Sequence, residues 1–521
     1  MALTFEPLAY GDRITVINPV GDVGVITLWS PQRSVLKKLA AVAPSAVDPA
    51  TSRIAAVANL YGDGLFAMLR NLLFNPQLRH LIVVGQDLGL GVPDELEALL
   101  RDGVEATTVF GQPLLRVRGT ARLLPVVDGF DAGVLQQRFT MTRLGKVGAL
   151  DAGVEELLAG LPSHDPPTEQ DRLRIDAPAD ETAGRTFRPS DPQAHSVTRR
   201  RPLDCWEELV VRTTRFGQST QLRKGARLEL LNVKVVIDDP VEEPARVLAE
   251  FGFNLERFRA YQRAILDPAL PEGISYTYGN RLRGHFAPAD AEPGAGREPF
   301  DTLTAAAQRL ARDPESRGAY VSLWDTPLDL DPDRSGPPCL TTLFFRLHDG
   351  RLTLTATYRS HNLLTAWLQN VYGLMAIQRV VAEAAGLPTG PITVLSHSLT
   401  IDPASPRLAI ARGLEQGWSV DDDRDREAEK VSLREDPNGY FVVSIDEDAG
   451  ELIAEHRADG LLLKRYRGRS ANAMGREIAA DMGVSLVSHA LWLGGELQRW
   501  EARLTAARAT PTGASVSMGP R

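Results

Sequence analysis

Two alternating runs, LTTLFFRL (340–347) and RLTLTATYRS (351–360), flank His348-Asp349-Gly350. Asp-Gly between runs rich in β-branched and aromatic residues signals a tight antiparallel hairpin. Pairing the runs forces their outer ends together. Cys339 precedes the first run, and Arg359-Ser360 close the second. A thiol and a guanidinium are thereby expected side by side. A free thiol has a pKa of about 8.5, and a nearby cation lowers it toward thiolate. Thiolate is the form that acts in covalent catalysis. LLTAWLQNVYGLMAIQRVVAEAAG follows and reads as a long apolar helix, with Asn370 near its start. An amide there offers a donor and an acceptor to a planar base edge.

Polar breaks divide the 521 residues into three structured blocks, consistent with ordinary domain sizes. Residues 1–160 contain SRIAAVANLYGDGLFAMLRNLLFNP at helical spacing, the buried-strand run HLIVVG (80–85), and the helix VPDELEALLRDG. This order predicts a small α/β layer. Residues 161–200 are rich in Pro, Asp, Thr and Arg, lack an apolar period, and read as a linker. The central block covers 201–420. The charge run DDDRDREAEK (421–430) precedes a small α+β block, 431–506. That block opens on Asp-Pro-Asn-Gly turn chemistry and the strand YFVVSID, and LVSHALWLGGELQRWEARL is an amphipathic helix. The tail, 507–521, is expected to be disordered. The expected class is α/β (α+β) with three domains.

Charge and cysteine usage exclude several functions. Hydrophobic residues make up 43% and charged residues 24%, an ordinary globular composition. The formal net charge of -9 argues against nucleic acid held on a general basic surface. Two cysteines, Cys205 and Cys339, are too few for a disulfide framework or a thiolate metal cluster, so no metal is expected and a reducing compartment fits. No signal peptide is read in MALTFEPLAYGD, and no run approaches the roughly 20 apolar residues of a membrane helix. A cytoplasmic protein without membrane contact is expected.

From about Asp204 to Asp402 the chain resembles the thymidylate synthase family. Pro337-Pro338-Cys339, the hairpin, Arg359-Ser360 and Asn370 carry the resemblance, in the archaeal form where Leu340 rather than His follows the cysteine. In order, Glu229 to Val233 resembles an early strand, Ile274 to Leu282 the Tyr-Gly segment, Asp313 to Arg317 the Pro-x-Ser-Arg loop, and Ser322 to Asp325 the Trp-bearing strand. The resemblance implies a central thymidylate synthase-like α/β domain. It implies that Cys339 attacks C6 of dUMP, and that C5 takes a one-carbon unit from 5,10-methylenetetrahydrofolate or a related reduced pterin. Arg359 would hold phosphate and help ionise the thiol, and Ser360 would also meet phosphate. Arg317 would reach the phosphate of a neighbouring copy, which implies a homodimer. Asn370 would pair with uracil, a base it suits better than Asp would, and Tyr278 and Trp324 would line the pocket.

Departures are also legible. Gly318 stands where a second Arg is usual, Asn362 where Asp is usual, Leu368 where Pro is usual, and Thr400-Ile401-Asp402 where His-x-Tyr is usual. Glu250 and Glu256 are the candidates for the family's glutamate. Residues 71–76, 79–85 and 95–103 resemble the corrinoid-carrying component of tetrahydromethanopterin S-methyltransferase, which holds its corrinoid through a His in the loop after the Gly. Here the loop after Gly85 has no His, and Leu90 stands near its place. A corrinoid is therefore not expected. The last block resembles an uncharacterised domain that accompanies such proteins. Cys205 and His489 are read as core residues, Trp492 and Trp500 as packing, and His361 and His397 as structural. The glycines at 62, 64, 89 and 91 form no phosphate loop. A non-catalytic nucleotide- or pterin-binding scaffold is the competing reading, and hydroxymethylation or another one-carbon transfer a third.

Overall fold

The computed structural model of the protein describes residues 3–62, 64–87, 91–109, 112–151, 153–177, 190–222, 225–287, 299–333, 336–419, 422–425 and 430–509. In the first block, short apolar runs pair as strands because both faces of their sheet are covered. β1 (Ile14–Val16), β2 (Val23–Ile26) and α1 (Gln32–Val42) are followed by β3 (Ile54–Ala58), α2 (Gly64–Phe74), β4 (His80–Val84) and α3 (Val92–Asp102). A separate antiparallel sheet of β5 (Val104–Val109), β6 (Gln112–Val117) and β7 (Leu123–Pro125) comes next. Then come α4 (Ala132–Arg138), β8 (Thr140–Gly145) and α5 (Val154–Gly160). The main sheet has the order β1-β3-β2-β4-β8, with β1 antiparallel and the rest parallel. Leu69, Leu73, Leu96 and Leu99 belong to one buried cluster, and Val35, Leu39, Val154 and Leu158 to another. Gly85 ends β4 at φ 127°, where a Cβ would lie 2.3 Å from the Thr27 carbonyl oxygen. Only glycine fits there. Of the loop after it, Gln86 and Asp87 are described, whereas Leu90 lies outside the described residues.

The polar stretch after α5 is fastened at both ends. Ile175 is 2% exposed and packs with the first block, and Arg172 donates to the Phe74 carbonyl. β9 (Ser196–Arg199) then joins the central sheet. The central block continues with α6 (Pro202–Phe216), β10 (Gln218–Leu222), β11 (Gly225–Ile237), α7 (Ala245–Glu250), α8 (Leu255–Ala264), α9 (Tyr278–Arg283), α10 (Thr302–Arg312), β12 (Tyr320–Ser322) and α11 (Thr326–Asp329). The hairpin is β13 (Leu340–His348) and β14 (Arg351–Tyr358). β15 (His361–Asn362), a π-helical turn over Leu363–Trp367, α12 (Leu368–Ala385), β16 (Thr389–Ile401) and α13 (Leu408–Gly417) complete it. The sheet order is β10-β11-β16-β14-β13-β12, with β14 parallel to β16. The apolar helix α12 buries residues from Leu368 to Ala382.

The first and central blocks share one compact unit, residues 1–418. Val109, Leu114 and Leu123 of the small sheet enter the central core. Buried Glu95 of α3 pairs with Arg257 of α8 at 2.6 Å. The second unit begins at Ser419. It contains the ribbon β17 (Asp422–Asp425) and β18 (Lys430–Leu433), then the antiparallel meander β19 (Tyr440–Asp446), β20 (Glu451–Ala458) and β21 (Leu461–Gly468). α14 (Ala471–Ala480) and α15 (Val487–Ala509) complete a core of Phe441, Leu452, Tyr466, Met474, Leu493 and Leu497. Asp436 binds the Ser485 hydroxyl, the Ser485 and Leu486 amides, and the His489 ring, so His489 is tied by a polar partner as well as by packing. Trp500 packs on the core, and Trp492 is 48% exposed with its ring centre 5.9 Å from that of His489. Among the described residues, no helix is long and apolar enough to cross a membrane, and no three His, Cys, Asp or Glu form a metal-holding group.

Candidate active site

The hairpin turn places Asp349 at φ 50° and Gly350 at φ 69°, the left-handed pair a two-residue turn demands. The ladder runs from His348 opposite Arg351 to Leu340 opposite Tyr358. That register delivers Cys339 to Arg359 and Ser360. The Arg359 amide donates to the Cys339 carbonyl at 2.9 Å, and the Cys339 Sγ lies 3.4 Å from the Ser360 Oγ. The Arg359 guanidinium donates to the carbonyls of Pro338 at 2.9 Å and Pro337 at 2.6 Å. It therefore orders the loop that carries the thiol, a task that spacing alone does not reveal.

Four tyrosines from three elements and one loop surround this edge. Tyr278 stands at the start of α9, whose N-cap Thr277 accepts from the Asn280 amide. Its hydroxyl accepts from the Leu340 amide at 3.3 Å. Tyr276 precedes it on the loop, Tyr358 ends β14, and Tyr261 lies on α8. Burial pushes all four phenols up, and the neighbouring Cys339 adds to each rise. They stay neutral donors. The Tyr358 hydroxyl is buried and has no partner among the described residues. Of these rings Tyr278 was expected from the sequence, whereas Tyr261, Tyr276 and Tyr358 were not singled out, and His361 was read as structural. Tyr261 lies far upstream and gives no local signal.

Asn370 is 8% exposed. Its Oδ1 accepts from the Tyr261 hydroxyl at 2.7 Å, and its Nδ2 donates to His361 Nε2 at 2.9 Å. His361 Nδ1 lies 3.0 Å from the Ser396 Oγ and its ring stacks on Tyr358 at 4.0 Å. Complete burial lowers the His361 pKa to about 3, so the imidazole is neutral. His397 sits apart, exposed on Asn232.

Other expected residues are placed differently. Asn362 caps the turn that leads into α12, its Oδ1 accepting from the Thr365 amide. Thr400 donates to the His361 carbonyl, and Asp402 pairs with Arg227 at 3.0 Å. Trp324 is half-buried beyond β12, its backbone tied to the Ser322 hydroxyl. Arg317 is exposed. Among the described residues, neither Trp324 nor Arg317 has a hydrogen bond or stacking contact to the Cys339 cluster. Beside Arg317, the Arg309 guanidinium covers Gly318 so closely that a Cβ there would meet it at 2.6 Å. Glu250 and Glu256, the candidates for the family's glutamate, are both exposed, and Glu256 pairs with Arg259. A buried carboxyl is found instead at Glu243, which accepts from the Tyr372 hydroxyl and the Leu203 amide. Burial raises its pKa to about 7, with Asp204 adding to the rise. Cys205 is buried on α6, and its thiol is raised by burial.

A family model described as thymidylate synthase matches residues 252–403, and one described as PterinBD-DUF4346 matches residues 435–509. A protein of Methanothermobacter thermautotrophicus that carries the provisional name thymidylate synthase is 31% identical over 222 residues, 40% of this chain and 93% of the relative. A protein of Methanopyrus kandleri with the same provisional name is 30% identical over 200 residues, 38% of this chain and 88% of its own. A third, from Methanosarcina barkeri, is 28% identical over 199 residues, 38% of this chain and 85% of its own. The synthase match contains Cys339, Arg359, Ser360 and Asn370, the residues the hairpin and α12 bring to one edge. Through its central block, this chain belongs to the thymidylate synthase family.

Proposed function

We propose that the chain transfers a one-carbon unit to C5 of dUMP, with Cys339 as nucleophile. The observation that supports this most is the half-buried thiol beside Ser360, on the strand end that Arg359 closes, within electrostatic range of four neutral phenols. Sγ adds to C6 of uracil, and the C5–C6 π pair moves to C5, which becomes a carbon nucleophile. Arg359 and Ser360 hold phosphate, with Arg317 of a second copy completing that site. Asn370 reads the uracil edge, Tyr278 and Trp324 wall the pocket, and Asn362 sets the start of α12. A reduced folate or related pterin would supply the one-carbon unit and the hydride. The outer sheet face, where Tyr320 and Phe344 are exposed with ring centres 4.8 Å apart, suits the second copy of a homodimer.

In this reading, residues 201–420 form the synthase domain, 1–160 a methyltransferase-like domain without a corrinoid, and 431–506 an accessory domain. The protein works in the cytoplasm. The absence of a histidine at Thr400 and of an arginine at Gly318 favours a second reading, a nucleotide- or pterin-binding scaffold. One experiment separates them. The protein is incubated with 5-fluoro-dUMP and methylenetetrahydrofolate and weighed intact by mass spectrometry. A covalent adduct, lost in Cys339→Ala, is expected. Binding of dUMP with no adduct and no tritium release from its C5 would leave the scaffold.

A further inference from the structure

The side chains that flank Asn370 form a continuous chain across four elements: Tyr261 on α8, Asn370 on α12, His361 on β15 and Ser396 on β16. An amide has two acceptor sites and two donor sites. Tyr261 takes one site of Oδ1 and His361 one N–H of Nδ2, so each end keeps one valence. With Oδ1 and Nδ2 held as they are, the remaining acceptor and donor complement N3–H and O4 of uracil. The flipped amide would instead complement N3 and the 4-amino group of cytosine. Amide orientation is therefore base choice.

We infer that Tyr261 and His361 are positioning residues that lock the Asn370 amide in the uracil-reading orientation. This rests on the uracil-reading role proposed for Asn370. Flipping the amide would require the phenol to accept, the imidazole to shift its proton to Nε2, and Ser396 to donate, all at once. A phenol is a better donor than acceptor, which opposes that reversal. His361 is held from its face as well, because it stacks on Tyr358. Tyr261 is held from its helix, because one turn earlier Arg257 is anchored to Glu95 and to the Gly91 carbonyl.

The test measures dUMP and dCMP affinity of the full chain by calorimetry. Tyr261→Phe removes the donor, and His361→Phe removes the acceptor while keeping a ring on Tyr358. Both are expected to lower the dUMP-over-dCMP preference by about fivefold, the scale of one hydrogen bond. His361→Gln restores an acceptor near Nε2 and should recover most of the preference, which a merely structural role would not explain. Asn370→Asp should turn the preference toward dCMP. An unchanged preference in Tyr261→Phe and in folded His361→Phe, alongside a wild type that prefers dUMP, overturns the positioning role alone. Should His361→Phe fail to fold, Tyr261→Phe decides. A wild type that binds no dUMP overturns the uracil reading, and the positioning role with it.

Discussion

A carboxyl that keeps its proton near neutrality makes stability depend on pH, and Glu243 is such a group. Its pKa in the fold is about 7 against the usual 4.5, because burial outweighs the Tyr372 and Leu203 hydrogen bonds. As pH rises from about 4.5 to about 7 the unfolded chain ionises first, so unfolding free energy falls across that window and stays lower above it. Urea denaturation at about pH 5 and about pH 8 should show this loss, and Glu243→Gln should reduce it. Identical pH slopes in both proteins would remove Glu243 as the cause. At this scale the sequence located Cys339, Arg359 and Ser360, since a two-residue turn fixes the partners of both strands. It could not locate Glu243, whose burial depends on α6 and α12. Nor could it find Tyr261, whose partner is 109 residues away.

Between elements, the crossing of α8 and α12 decides whether Tyr261 reaches Asn370. Gly373, one turn after Asn370, makes the approach possible, since a Cβ there would meet the Tyr261 and Ile265 side chains at 2.8 Å. Gly373→Ala should cost about 1–3 kcal/mol by overpacking. It should also weaken dUMP binding in step with Tyr261→Phe. Thermal melting and calorimetry check the two effects, and wild-type affinity in a destabilised variant would disconnect the crossing from the site. The long apolar helix was legible from its composition. The π-helical turn before it was not, because it depends on Asn362 capping the chain between β15 and α12.

For the whole molecule, every residue of the candidate site lies in the first unit, and the second has its own core. A chain ending at Trp418 should therefore fold and bind dUMP with wild-type affinity; loss of binding on calorimetry would tie the second unit to the site. Phe344 is 47% exposed on the outer sheet face, and Phe344→Glu should shift the proposed homodimer to monomer in sedimentation. Unchanged mass would place the interface elsewhere. The sequence alone determined the hairpin, the thiol at its mouth and the order of the synthase segments, because turn chemistry and strand alternation act over a few residues. Tertiary structure decided what surrounds the thiol. It turned the Arg359 fork onto the Pro337 and Pro338 carbonyls, gathered four phenols, and strung Asn370 between Tyr261 and His361. Those partners meet only when α8, α12 and the sheet close on one core, and burial then fixes their protonation.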